Sequence, residues 1–345
     1  MCRIWLVWVF LAGLLVAKPT IYILATGGTI AGSSKSALSG AYKPGQLGVE
    51  ALIQTIPQLK DEVHLKGEQI SNIGSQEMDN ATWLKLARRV SALLKRSDVD
   101  GIVITHGTDT LEESAYFLDL LIKSNKPIVL VGAMRNASSL SADGPLNLYN
   151  AIHVAMSPQA RGKGVLVVMD DAIHAAREVS KMNTTNTDAF QSPNTGKIGM
   201  VLYGQVHFYM QSLRRHTLQS AFDIDKIRSL PRVDILYAHP NDHPDLVQDL
   251  IQHGSQGIIY AGMGNGNLYP SVLKALSLAV QKGVVVVRSS RVPSGMISVP
   301  GEVDDAKYGF LSGDDLNAPK ARVLLMLALS QTHDPKKIQE YFFTH

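Results

Sequence analysis

Cysteine is almost missing from this 345-residue chain. The one residue, Cys2, stands ahead of the body of the sequence, so an intrachain disulfide is excluded and the redox compartment has to be read from something else. Charge is also sparse and unclustered. Charged residues make up 18% and the net charge is +3, with Lys and Arg mixed among Asp and Glu. No basic stripe, zinc-finger spacing, RNP pattern or basic region is present, which argues against a nucleic-acid partner. A long membrane-spanning run is missing too: the apolar stretch from Ile4 to Val16 is short for a bilayer. Several reaction motifs are absent. Gly27, Gly28, Thr29, Ile30, Ala31 and Gly32 do not have the spacing of a dinucleotide fingerprint, and there is no Walker sequence. There is no Gly-x-Ser-x-Gly elbow either. His106 and His174 are the histidines to weigh as metal ligands, yet neither lies in an H-E-x-x-H pattern, so no metal and no cofactor is expected.

What is present begins with a leader. Arg3, the apolar run and the stop at Lys18 and Pro19 suit a secretory signal, with Ala17 before a cleavage point and Leu15 where a smaller residue is preferred. Residues 1–17 are therefore expected to be a signal peptide or an N-terminal anchor. A membrane would be a partner only if that segment stays uncleaved. From Thr20 onward, short β-branched runs alternate with amphipathic stretches, the pattern of a parallel sheet covered on both faces. Strands are expected at 20–25, 101–105, 127–132 and 164–169, and helices at 79–96 and 148–156. A further helix carries Leu111, Ala115, Leu118 and Ile122 on one face. Asp79 or Asn80 would cap the first helix, and Asp109 with Glu112 has capping-box spacing. Residues 31–47 read as a mobile loop, and 170–194 holds too many Asn and Thr residues for a regular core element.

After a polar link at 211–231 the alternation restarts. Strands at 233–238, 257–261 and 283–288 are interleaved with helices at 244–253 and 271–281, and helices at 319–330 and 334–342 close the chain. The expected fold class is α/β: a larger N-terminal domain over 18–210 with a mostly parallel sheet, and a smaller α/β domain over 232–345.

Two hydroxyls then stand out. Thr29 and Thr108 each follow a glycine at the carboxyl end of an expected parallel strand, the edge where open α/β sheets place ligands. Asp109 adjoins Thr108, and Tyr42 and Lys181 lie on irregular segments able to reach the same edge. A threonine hydroxyl is a poor nucleophile until a base or cation lowers the cost of deprotonation. Lys181 beside Asp109, or the phenol of Tyr42 beside Thr29, could supply that help. The chemistry suggested is acyl transfer: hydroxyl attack on a carboxamide, loss of ammonia, and hydrolysis of the acyl-enzyme. Backbone N–H groups near Gly28 and Ala31, or a helix start after Thr108, could hold the oxyanion. A small-ligand binding protein on the same frame is the rival from another class; it would be expected to lack one of these groups.

The blocks LATGGTIAG (24–32) and ITHGTDTL (104–111) resemble the two signature segments of the bacterial asparaginase and glutaminase-asparaginase family. VLVGAMR, SADGPLNLYNA, GMGNGNLYP and RSSRVPSG agree, and the likeness runs from about Thr20 to His345. It implies a flavodoxin-like larger domain and hydrolysis of L-asparagine to L-aspartate and ammonia, with slower action on L-glutamine. Thr29 would be the nucleophile, with Tyr42 beside it on a closing lid. Thr108 and Lys181 would form a second proton-relay pair. Asp109 would also hold the substrate amino group, and Ser75 with Gln76 its carboxylate. Asn267 and Glu302 would come from an adjoining subunit, in homodimer pairs assembling to a homotetramer. The block NTTNTDAFQSPNTGKIG (183–199) is similar to the exported, periplasmic type II enzymes, although a cysteine pair seen in some secreted relatives is missing.

Overall fold

The computed structural model describes residues 17–38 and 41–345. The expected leader, apart from Ala17, lies outside the described residues. Five parallel strands form the centre of the larger body: β1 (Thr20–Gly27), β2 (His64–Ile73), β3 (Gly101–Thr105), β4 (Ile128–Val131) and β5 (Val165–Met169). Their spatial order is β2-β1-β3-β4-β5, the flavodoxin-like arrangement. Four helices cover them: α1 (Val49–Gln54), α2 (Asn80–Leu94), α3 (Leu111–Leu121) and α4 (Gly144–Met156). Alternating strand residues divide between the two faces. Leu24, Ile104, Leu130 and Val167 pack with α2 and α3, while Ile23, Val103, Val129 and Val168 pack with α1 and α4. Burial on both faces is why β1, β3, β4 and β5 read as continuous apolar runs.

The sheet extends past β5 with antiparallel strands. β6 (Ala172–Ala175) pairs with β5, and β9 (Gly199–Leu202) and β10 (Gln205–Phe208) complete the edge. Between them a two-residue ribbon joins β7 (Ser180–Lys181) to β8 (Phe190–Gln191). The expectation of no regular core element across 170–194 is corrected here. Asp170 and Asp171 take left-handed backbone at φ 49° and 61°, turning the chain straight back along β5 and placing Ile173 in the core.

The second body is a four-stranded parallel sheet, β11 (Val233–Tyr237), β12 (Gly257–Gly262), β13 (Val285–Ser290) and β14 (Leu311–Ser312), in that spatial order. Its helices are α5 (Asp245–Gln252), α6 (Pro270–Gln281), α7 (Asp305–Tyr308), α8 (Ala318–Leu329) and α9 (Pro335–Thr344). α8 is buried around its whole circumference, from Ala318 to Leu329, because it touches α3 of the first body and β11 and β12 of the second. It is the element through which the two sheets share one core cluster.

Two further local expectations meet their test in the caps. Asp79 caps α2 by accepting from Thr82 N–H at 2.7 Å. The capping box of Asp109 and Glu112 does not form: α3 starts after a short 3-10 turn at Thr108–Thr110 and has no side-chain cap. Both carboxylates are drawn instead to charged or polar partners from distant segments, described next.

Candidate active site

The order β2-β1-β3 puts the topological switch point between β1 and β3, where chain connections leave in opposite directions and open a crevice at the strand ends. Three loops close over that crevice, and glycine lets them touch. Gly28 has φ 78°, and a Cβ placed there would lie 2.3 Å from Gly107 Cα; one on Gly107 would lie 2.6 Å from Ser75 Oγ. A side chain at either position would push the β1 and β3 ends apart. Thr29 and Thr108, the residues immediately after these glycines, are both buried at 7% and 5% exposure.

Each threonine has its own partner. Thr29 Oγ1 and the Tyr42 hydroxyl are hydrogen-bonded at 2.7 Å. The chain brings Tyr42 back by pairing Lys43 with Ser33 in a short antiparallel bridge, and the ring lies over Gly32, where a Cβ would be only 2.7 Å from it. On the other side, Lys181 Nζ donates to Thr108 Oγ1 at 2.9 Å and to Asp109 Oδ1 at 2.7 Å. The Lys181 side chain is four-fifths buried whereas the Asp109 side chain is 59% exposed. The crevice therefore holds two hydroxyls, each in contact with a group able to take or give a proton, and one carboxylate open to a soluble ligand.

Ser75 anchors the third loop. Its Oγ accepts from Asp109 N–H at 3.1 Å and its carbonyl from Thr110 Oγ1 at 2.8 Å, which ties the end of β2 to the end of β3. Gln76 is exposed beside it. Gly28 N–H donates to Ile73 O at 2.9 Å, which uses up one of the N–H groups considered for an oxyanion. Asn267 and Glu302 stand elsewhere in this chain: they bond each other, Nδ2 to Oε2 at 2.9 Å, on the exposed loops that follow β12 and β13.

Beneath the site runs a buried chain that residue patterns do not signal. Trp83 Nε1–H donates to Ser114 Oγ at 2.7 Å, Ser114 Oγ meets His106 Nε2 at 2.9 Å, and His106 Nδ1 meets Gly107 O at 2.7 Å. With Trp83 able only to donate, the consistent assignment has Ser114 donating to Nε2 and Nδ1–H donating to Gly107 O. Burial holds the His106 pKa down to about 4, so the ring is neutral. His174 is likewise pushed down to about 4 by burial, with Nδ1 on Ser192 Oγ at 2.9 Å. Among the described residues, no group of three or more His, Cys, Asp or Glu side chains could hold a metal ion. His106 therefore serves as a brace under the loop that carries Thr108.

Known proteins resemble this chain along nearly its whole length. Residues 20–214 match the family described as Asparaginase, N-terminal, and residues 232–342 match the Glutaminase/Asparaginase C-terminal domain. A Haemophilus influenzae protein named Probable L-asparaginase periplasmic is 52% identical, with 94% of this chain and 92% of the relative covered. A glutaminase-asparaginase of Pseudomonas fluorescens is 47% identical over 94% of this chain and 90% of its own length. The crystal structure of a Probable Cytoplasmic L-asparaginase from Campylobacter jejuni superposes with a TM-score of 0.92 at 47% identity, covering 95% of this chain and all of that one. With both halves matched and identity near one half along almost the full length, the chain belongs to the bacterial asparaginase and glutaminase-asparaginase family of amide hydrolases.

Proposed function

We propose that the crevice hydrolyses L-asparagine to L-aspartate and ammonia through an ester on Thr29, with slower turnover of L-glutamine. The observation that carries this reading is the pairing of two buried hydroxyls at one switch point, Thr29 with Tyr42 and Thr108 with Lys181 and Asp109. In the first step Thr29 Oγ adds to the side-chain carboxamide carbon while its proton passes toward Tyr42. The tetrahedral intermediate collapses with cleavage of the C–N bond, and the leaving nitrogen takes a proton and departs as ammonia. Water then adds to the ester carbon, its proton taken up through Thr108 and Lys181, and collapse returns the hydroxyl to Thr29 and frees the carboxylate.

Recognition follows from the same groups. The exposed side of Asp109 suits the substrate ammonium, and Ser75 with Gln76 suits the α-carboxylate. Asn267 and Glu302 would complete the site of a second copy, in homodimers that pair to a homotetramer. Arg3 and the apolar run after it support export to the periplasm with cleavage after Ala17, which N-terminal sequencing of the mature protein would check.

Ammonia release from asparagine and glutamine tests the chemistry directly. The parent chain should act on both and faster on asparagine, with Thr29→Ala and Thr108→Ala each losing at least about a thousandfold in kcat while still binding substrate. Full turnover by Thr29→Ala would remove it as nucleophile. Equal rates on the two amides would favour a balanced glutaminase-asparaginase. One methylene is discriminated by only about 1–3 kcal/mol, so a small sequence change between Gly32 and Tyr42 would shift that ratio.

A further inference from the structure

Lys181 sits on a ribbon of two residues, β7, paired only with Phe190 and Gln191. So short a ladder cannot by itself fix a long, flexible lysine within hydrogen-bond reach of Thr108. The segment Arg177–Lys181 is held instead at four successive points. Lys320 Nζ donates to Arg177 O at 2.6 Å and to Val179 O at 2.7 Å. Asn317 Nδ2 donates to Ser180 Oγ at 3.0 Å. Glu112 Oε2 accepts the Lys181 N–H at 3.2 Å, and its other oxygen accepts from the same Asn317 amide at 3.3 Å. Lys320 is only 3% exposed, and either protonation state of its amine carries the two N–H bonds needed.

Asn317 and Lys320 both belong to the start of α8, in the C-terminal body. Asn317 works at both ends of its side chain: Oδ1 caps α8 by accepting Lys320 N–H at 3.1 Å, while Nδ2 reaches across to Ser180. We propose that Asn317 and Lys320 are positioning residues through which the C-terminal body sets Lys181 against Thr108 and Asp109. The proposal rests on the reading of Lys181 as part of the proton relay. It explains why the Glu112 carboxylate leaves the helix cap it could have formed: its two oxygens bridge Lys181 N–H and the Asn317 amide. The placement of the lysine is thereby tied to the docking of α8, more than a hundred residues further along the chain.

Asn317→Ser separates this role from a merely structural one. Serine is as good an N-cap, so α8 keeps its cap, but the donor to Ser180 and Glu112 is gone. The expected result is a kcat on asparagine lowered about 10-fold or more, a KM within about twofold of the parent, and an unchanged melting temperature. Ser180→Ala removes the other partner of the same bond without touching α8 and should give the same split. In a Lys181→Met background, Asn317→Ser should cost nothing further, because both changes act through one ammonium. An unaltered kcat in both Asn317→Ser and Ser180→Ala would overturn the proposal, as would losses that add in full to that of Lys181→Met. Full activity in Lys181→Met alone would instead overturn the relay reading itself.

Discussion

Single residues in this protein matter most where backbones meet. Gly28 is the clearest case, since the space for its Cβ is already filled by Gly107 at 2.3 Å and its φ of 78° disfavours any side chain. Gly28→Ala is expected to cost several kcal/mol, at least about 2, in urea unfolding, and to reduce turnover by more than about 100-fold as Thr29 and Thr108 are driven apart. Near-parental activity would mean that the two loops are not in contact. The Trp83 brace makes a second case. Trp83→Phe keeps the stack on Phe117, whose ring centroid is 5.0 Å away, but removes the N–H that supports Ser114 and His106. About 1–3 kcal/mol of stability should go with it, read as a lower urea midpoint at unchanged slope. An unchanged midpoint would remove the brace from the account.

At the scale of elements, the packing of α3 against α8 builds in a response to pH. Glu113 lies between them, 3.9 Å from Arg322, and burial pushes its pKa up to about 7; the Asp119 carboxyl on the same helix is raised to about 7 for the same reason. The folded state therefore keeps protons that the unfolded chain has released by about pH 4.5, and stability falls as pH rises through 7. His106 and His174 act in the opposite direction. Their folded pKa values of about 4 lie below the unfolded 6.5, so the unfolded chain takes up protons first and stability falls as pH drops from 6.5 toward 4. Glu113→Gln keeps the shape and deletes one ionisation. It should raise stability at pH 8 by on the order of 2 kcal/mol and leave it nearly unchanged at pH 4.5, as measured by denaturant unfolding at the two pH values. The same gain at both would show that ionisation is not its source.

For the whole molecule, the junction between the two bodies is polar as well as apolar. Arg177, 3% exposed, donates to His345 O and to Asp315 at 2.6 Å each and stands 3.9 Å from the buried Asp314. Arg177→Met would leave those carboxylates buried with one cation, Arg214, in place of two. A loss of about 3–5 kcal/mol is expected by calorimetry or urea. Assembly has its own test. If Asn267 and Glu302 complete the site of a neighbour, a hybrid pair of Thr29→Ala and Glu302→Ala chains contains one intact site and one doubly altered site. Mixed, dissociated and reassociated, these two inactive proteins should regain activity. A mixture no more active than its parts would place each site within one chain.

How much of this could be read from residues follows from the distances along the chain that each feature spans. Local periodicity determined the parallel α/β class, the apolar strands β1, β3, β4 and β5, the second body, and the two threonines at strand ends, because burial on both faces imposes continuous apolar runs and glycine marks the turns after them. β2 escaped that reading, since an edge strand of sequence HLKGEQISNI carries little of the pattern. β6 was hidden by the Asn- and Thr-rich segment around it. The capping spacing of Asp109 and Glu112 was a true local signal that lost to stronger partners from far away. Lys181 meets Thr108 across 73 residues, and Ser180 meets Asn317 across 137. Such pairs leave no periodic trace. The sequence alone named the candidate groups for the chemistry, because side-chain type and strand-end position are local properties. Only the tertiary structure decided which of them touch, because contact depends on how α8 and the strand-end loops close on one another.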